Sequence, residues 1–507
     1  MIFNRKQIVT ALFVAGPLAA ALLISRNVKT VGGKTTKFEI FGFLLTMAMY
    51  AISLIVIHFT ITKKGFVNDH TGLMNVYAIG IIILVQVIYS IGIIAFLFHR
   101  FAPVIPKEKK DRHHHAMVIS YSLIGIGTTT LLILFGAFRF FFLLVYMIPH
   151  YYIFKRISRA FLKANAKRFI ASLMIIFMLL FPVMEIMYSY NNQLLVRIAL
   201  QISYFYLPFI LHFFIGLFVF DILSFGLTEL KIMDKNFIYA NRQWRTALGV
   251  IGTISLVIVV YAHIQFNSPS YTTYTLDVPA KSSQITNMKV IVASDFHFAE
   301  ITSLGFVKKF VEKVNARKPD IVLFPGDIVE SDNDNGKMNL IANELKKIES
   351  TYGVYASLGN HEYYGDLQKN ILFCRKAGMR MLMDTAVVVN KSLVVAGQND
   401  LHDDDRKNLD EILGEHPSQL PVILMRHRPI EFQDAVRNNV DIMVSGHTHH
   451  GQLFPFHLLT QTFYELSWGH KKVANTHFIT TSGAQGWGPQ ARTTGKSEIV
   501  LINLVFK

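Results

Sequence analysis

The sequence predicts a chain of two unlike parts, a polytopic α-helical membrane domain followed by a layered α/β domain. Three observations carry this expectation. The first is an asymmetry of charge: residues 1–270 contain 25 Lys and Arg against 8 Asp and Glu, whereas the remainder holds 25 against 26. The net charge of +16 therefore belongs to the first half. The second is that this basic half is also the apolar one, built from long uncharged runs that can each cross roughly 30 Å of hydrocarbon as a helix. The third is that the later apolar runs shorten to strand length and alternate with amphipathic helical segments, the order expected of strands and helices packed in layers. The expected boundaries are 1–264 for the membrane domain, 265–284 for a linker with an edge strand, and 285–507 for the α/β domain.

In the membrane half the apolar runs fall at 7–25, 38–61, 76–98, 117–138, 169–188, 198–225 and 246–263. The first reads as an uncleaved span, because further spans follow it at once. A further aromatic-rich run, 140–154, follows Arg139 and contains Pro149, and suits either an interfacial helix or another crossing. Residues 155–168 carry six Lys and Arg and no acid, which places them in the cytoplasm by the positive-inside bias. Three crossings later the chain emerges outside after Tyr261, so the α/β domain is expected to be extracytoplasmic. Seven or eight spans are compatible with the sequence, and eight also puts the basic loops 26–37 and 100–112 inside.

Glu185 and Asp221 lie at or near membrane depth, where a carboxylate needs a partner or water. Arg139 is a candidate partner for Glu185. The run His113-His114-His115 sits among Lys107, Lys109, Lys110 and Arg112 and reads as a solvated loop. The basic residues flank apolar runs instead of forming a stripe on a soluble fold, so no nucleic-acid partner is expected. The lone Cys374 excludes an intrachain disulfide and a thiolate metal cluster.

After the last span, Asn267-Ser268-Pro269-Ser270 breaks the helix, and the polar alternation of 271–277 suggests an edge strand. Apolar residues at helical spacing predict helices over 306–314 and 338–349, and the closing portion, 381–396 and 478–505, is β-rich. Between them, short apolar runs repeatedly end in clusters of Asp, Asn and His: Asp295-Phe296-His297, Gly326-Asp327, Gly359-Asn360-His361-Glu362, Arg426-His427 and Gly446-His447-Thr448-His449. Side chains that follow strand ends converge on the carboxyl edge of a sheet. Two divalent cations about 3.5–4 Å apart need a set of carboxylates and imidazoles with one carboxylate bridging. These clusters supply one. In an extended segment, Asp-x-His and His-x-His each put two ligands on one face, and the glycines before the ligands permit close approach.

This ordered pattern, DxH, GD, GNHE, H and GHxH, resembles that of the calcineurin-like metallophosphoesterases over residues 288–504. The resemblance implies two mixed sheets flanked by helices, and a pair of divalent ions, Mn, Fe or Zn. It implies that Asp295, His297, Asp327 and His449 hold one metal, and that Asp327, Asn360, His427 and His447 hold the other. Catalysis would fall to Asp327 as the bridge and to His361 as general acid, oriented by Glu362 or a nearby acidic side chain. The run from His447 to Gln452 is similar to the Gly-His-Thr-His-Gly-Gly-Gln motif of a membrane-associated branch, departing from it at His450.

The expected activity is hydrolysis of a phosphodiester or pyrophosphate of a lipid or envelope precursor, without a covalent intermediate. Residues 453–468 are unusually apolar for a segment beside metal ligands, and read either as a lipid-facing lip or as a hairpin packed on the sheet. The competing class is a transporter or sensor whose metal domain is regulatory. An intact ligand set argues against it.

Overall fold

The computed structural model describes residues 146–160, 164–190, 193–238, 240–281, 283–330, 336–414 and 419–507. The apolar runs between residues 7 and 138, Arg139, the His113–His115 run and the span count that rests on them lie outside the described residues. Residues 146–160 are helical, which extends the 140–154 run beyond its predicted end. Three long helices follow, α1 (Ala164–Tyr190), α2 (Leu194–Glu229) and α3 (Asn241–Phe266). Each contains a stretch long and apolar enough to cross a membrane. Helix α2, at 36 residues, is about 54 Å long.

Asp221 on α2 pairs with Arg156 and accepts from the Tyr152 hydroxyl, so this acid is neutralised within the helical layer. The Trp244 indole and the Arg245 guanidinium of α3 donate to the Arg156 and Ala160 carbonyls. Ile153, Ile210, Phe213, Leu217 and Trp244 close the apolar contact among these helices. Glu185 accepts from the Tyr204 hydroxyl of α2 at 3.2 Å.

Helix α3 leads almost directly into the α/β domain. The Ser497 hydroxyl donates to the carbonyl of Phe266 at 3.0 Å, and strand β1 (Ser270–Val278) begins there, its first N–H donating to the Ser497 carbonyl at 2.8 Å. The strands that follow are β2 (Asn287–Val292), β3 (Ile321–Pro325), β4 (Val354–Ser357), β5 (Arg380–Met381), β6 (Thr385–Val389), β7 (Leu393–Gln398), β8 (Val422–Arg426), β9 (Ile442–Ser445), β10 (Gly469–Val473), β11 (Thr476–Thr480) and β12 (Glu498–Phe506). They form two mixed six-stranded sheets, ordered β1-β12-β2-β3-β4-β5 and β10-β11-β9-β8-β7-β6. Strand β1 is an edge strand, parallel to β12, in line with its alternating burial.

The sheets share an apolar layer. Val290, Val292, Leu323 and Tyr355 of the first meet Val395, Ile423, Met425 and Val444 of the second. Helices α4 (Leu304–Ala316) and α5 (Gly336–Leu345) cover the outer face of the first sheet through Phe306, Phe310, Ile341 and Leu345. Residues around α8 (Leu409–Leu413) and α9 (Phe432–Arg437) cover the second, with Leu409 and Phe432 against Leu424 and Phe478. Between them in the chain lie α6 (Asn360–Tyr364) and α7 (Leu367–Lys376). Each ligand cluster is thus carried by a strand buried on both faces.

Candidate metal centre

Five parallel strand ends build the site. Asp295 and His297 follow β2, Asp327 follows β3, Asn360 and His361 open α6 after β4, His427 follows β8, and His447 and His449 follow β9. The first three strands belong to one sheet and the last two to the other, so the site straddles the gap between the sheets.

The local backbone differs from the extended form expected for Asp-x-His and His-x-His. Asp295, His297, Asp327, His447 and His449 all have φ between 49° and 73°, in the left-handed region. Such conformations cost energy for residues with a Cβ and gather at functional sites. Phe296, between the first two, is driven into the core against Phe298, Phe310 and Phe324, at centroid distances of 4.8, 4.9 and 5.4 Å. Its burial fixes the loop while its neighbours turn toward the site. Gly326 has φ +83°, and a Cβ there would come within 2.6 Å of the Gly359 nitrogen and 2.7 Å of His427 Nδ1. Only glycine fits between these two ligand-bearing segments.

Asp295, His297, Asp327 and His449 converge with donor atoms within 4.8 Å of one another, and Asp327, His427 and His447 do the same. Asp327 belongs to both groups. His297 Nε2 and His449 Nε2 face each other at 3.2 Å, and His427 Nε2 lies 3.0 Å from Asp327 Oδ2. His427 Nδ1 meets the Pro325 carbonyl at 2.8 Å. With Nδ1–H donating there, the Nε2 lone pair points into the site, the arrangement that orients a ligating imidazole. The His447 and His361 backbone N–H groups donate to Asp295 Oδ1 and Asp327 Oδ1, each at 2.9 Å. Asn360 Oδ1 is buried without a hydrogen-bond partner, and His427 Nε2, though 3.0 Å from the Asp327 carboxylate, is not aligned with it for a good hydrogen bond. Such groups are costly unless something fills the space between them, and hard oxygen and imidazole donors suit divalent cations. The residues fit a pair of such ions.

The electrostatics point the same way. Burial opposes charge on His427, yet the Asp327 and Asp295 carboxylates outweigh it and hold its pKa up to about 10. Burial would also raise Asp327, but His427, His297 and His361 hold it well below the usual carboxylate range. Burial pushes Asp295 up. His447 is lowered to about 3 by burial and by the nearby His427 and Arg428, and burial beside His297 lowers His449 strongly, so both are neutral imidazoles. The buried carboxylates draw positive charge toward themselves.

Glu362 does not orient His361. Its carboxylate is buried and accepts from the N–H groups of Asp327, Ile328, Val329 and Gly359 at 2.7–3.0 Å, locking the loop that presents Asp327. The acid beside His361 is Glu330, whose Oε2 lies 2.8 Å from both His361 Nδ1 and His297 Nδ1. Burial opposes its charge, but the hydrogen bonds from His297 and His361 hold Glu330 at about 2. Its position three residues after Asp327 has no strand-end signature, and only the fold reveals it. Arg492, also unmarked in sequence, is fully buried and donates from Nη1 to the His449 carbonyl at 2.8 Å.

His450 turns away from the metal ligands. Its ring packs against Trp468 and His457, at 5.0 and 5.8 Å between centroids, and its φ of 47° is a value that glycine adopts freely. Asp400 is bound by Arg428 and His402 and lies near enough to His427 and His447 to act on their charge. Residues 453–468 do not form a hairpin on the sheet. Leu453 packs on Ala262 of α3 and on Ala491, and helix α10 (His457–Phe463) buries no residue at all.

Residues 288–451 match the model of the calcineurin-like phosphoesterase family. The chain is 30% identical over 264 residues to a metallophosphoesterase of Aquifex aeolicus, covering 50% of this chain and 98% of that one. It is 27% identical to one of Campylobacter jejuni over 74% of this chain and 100% of the other. It is also 25% identical to a Danio rerio transmembrane protein with a metallophosphoesterase domain, over 52% of this chain and 63% of that protein. With the ordered clusters, the two mixed sheets and the paired donor groups already in place, these likenesses identify the chain as a member of the calcineurin-like phosphoesterase family.

Proposed function

We propose that this chain is a membrane-anchored phosphoester hydrolase working with two divalent cations. Asp295, His297, Asp327 and His449 would hold one ion, and Asp327, Asn360, His427 and His447 the other. The single observation that carries this reading is the membership of Asp327 in both donor groups. When bound, such ions supply Lewis acidity and make hydroxide available near neutral pH. His361, at the rim of the site, donates a proton to the departing oxygen, and Glu330 fixes the ring through Nδ1 so that Nε2 faces the reacting group. Trp487 and Tyr364, with rings 6.1 and 4.9 Å from His361, limit the approach of water.

The proposed division is a multi-pass membrane domain through residue 264, a linker and edge strand to 284, and the hydrolase domain beyond, facing away from the cytoplasm. The positive-inside bias of residues 155–168 supports that orientation. A lipid or envelope phosphoester is the proposed substrate. Support comes from α10, where Leu458, Leu459 and Phe463 are 55%, 54% and 75% exposed while the adjoining Leu453 rests on the membrane helix α3. That exposed apolar surface, continuous with a membrane helix, suits contact with acyl chains.

Purified full-length protein should hydrolyse an aryl phosphodiester, an aryl phosphomonoester or extracted membrane lipid in a metal-dependent manner, and Asp327→Asn and His361→Ala should each abolish turnover. Folded, metal-loaded protein inactive on all three substrates, or variants as active as the parent, would refute the proposal.

A further inference from the structure

A cavity of about 520 Å³ opens beside the metal centre, and its walls come from both parts of the chain. Glu185 and Tyr188 of α1, Tyr204 of α2 and Phe266 at the end of α3 line it together with Trp487 and Glu330, and His297 joins it to the candidate metal ligands. Helices α1 and α2 reach this place because α2 runs far beyond the end of α3. Leu211 of α2 packs on the apolar cluster that contains Ala262; from there α2 continues 17 residues to Leu194 and α3 only four to Phe266, a difference of about 20 Å. Arg197 anchors this stretch to Glu300 at 3.2 Å.

The lining chemistry is selective. Among the described residues that line the cavity there is no Lys or Arg, and the basic residues nearby are engaged, Arg197 with the Glu300 carboxylate and Lys337 with the Glu300 carbonyl. A second phosphate would find no counter-charge there. Glu185, by contrast, is an exposed carboxylate whose described partner is the Tyr204 hydroxyl, and it stands among the aromatic rings of Tyr188, Tyr204, Phe266 and Trp487. A carboxylate within a group of aromatic rings is the environment that stabilises an organic ammonium ion, through charge pairing and ring quadrupoles.

We propose that this cavity receives the organic group of the phosphoester, that the group bears an amine cation, and that Glu185 is its counter-charge. The inference rests on the phosphoesterase reading above. It narrows the substrate to an ammonium-bearing ester with a single phosphate and makes the membrane helices part of the substrate site.

Two probes of the same shape isolate the charge: phosphocholine and its carbon isostere, 3,3-dimethylbutyl phosphate. Calorimetric titration into metal-loaded full-length protein should show phosphocholine binding about 10–100-fold more tightly, the range of a charge-assisted contact. Glu185→Gln should bring the two affinities together, and Glu185→Asp should retain part of the preference. Equal affinities in the parent protein, a preference that survives Glu185→Gln, or no binding of either probe would overturn the proposal. Turnover of the p-nitrophenyl diesters of the same two alcohols reports separately on catalysis. Selective binding without hydrolysis of either diester would sink the phosphoesterase reading and leave the ammonium site standing.

Discussion

On the two-ion reading proposed above, replacing Gly326 with Ala would strike one half of the candidate metal centre harder than the other. The added Cβ comes within 2.6 Å of the Gly359 nitrogen and 2.7 Å of His427 Nδ1, where ordinary contact begins at 3.4 Å, so the segments bearing Asn360 and His427 must retreat by about 0.7–0.8 Å. Metal–ligand distances tolerate only about 0.2 Å. Asp295, His297 and His449 lie on other segments, so under the two-ion reading proposed above the variant should keep the ion they would hold with Asp327 and lose the one assigned to Asn360, His427 and His447. The φ of +83° adds a fold penalty of about 1–2 kcal/mol for a residue with a Cβ, small enough to leave the chain folded. Metal content by mass spectrometry, read beside the melting temperature and the rate on an aryl phosphodiester, should show half occupancy, a modest loss of stability and a collapse in rate. Two ions per folded chain and an undiminished rate would refute the reasoning.

Glu330→Gln replaces the acceptor shared by His297 Nδ1 and His361 Nδ1, and should weaken metal binding about 10–100-fold, the usual cost of losing such an outer partner; competition with a metallochromic dye measures this, and unaltered affinity would show that Glu330 orients neither ring. Chelation should lower the melting temperature, because an ion present at 100 times its Kd contributes about 2.7 kcal/mol. A thermogram indifferent to chelator and to added metal would contradict the cation reading of the buried Asp295 and Asp327. Changing Phe454, Phe456 and Leu458 to Ser should slow turnover of a lipid substrate in vesicles at least about tenfold more than that of a soluble aryl phosphate, since each buried apolar side chain contributes about 1.5–3 kcal/mol. Equal losses on both substrates would leave the exposed α10 segment without a role at the bilayer.

The candidate site was legible wherever a proposed ligand directly follows a buried strand. The runs ending at Val292, Pro325, Ser357, Arg426 and Ser445 are short and wholly or mostly apolar, and the polar residues after them had nowhere to go but the sheet edge. What escaped the sequence depends on the path of the chain after the strand ends. The left-handed turns at Asp295 and His447 carry no compositional mark, because neither residue is glycine. Glu362 follows directly on His361 in sequence, yet the turn into α6 points it at the Asp327 loop, and Glu330 reaches His361 from another strand end. The apolar run 453–468 has the composition of a buried hairpin, and only its neighbours reveal that α10 is left uncovered.

Only residues 267–269 separate α3 from β1, and the Ser497 hydroxyl clips the last carbonyl of α3 to the sheet. The α/β domain is therefore tied to α3 by its backbone, whereas the cavity wall on α1 and α2 is tied to it through the Arg197–Glu300 pair. Helices longer than the hydrocarbon is thick tilt to fit it. A change of five degrees in a helix about 54 Å long sweeps its end through about 5 Å, comparable with the breadth of a 520 Å³ cavity. On the membrane-anchored reading proposed above, a change of helix tilt between thin and thick bilayers would load the Arg197–Glu300 pair and alter the width of the cavity.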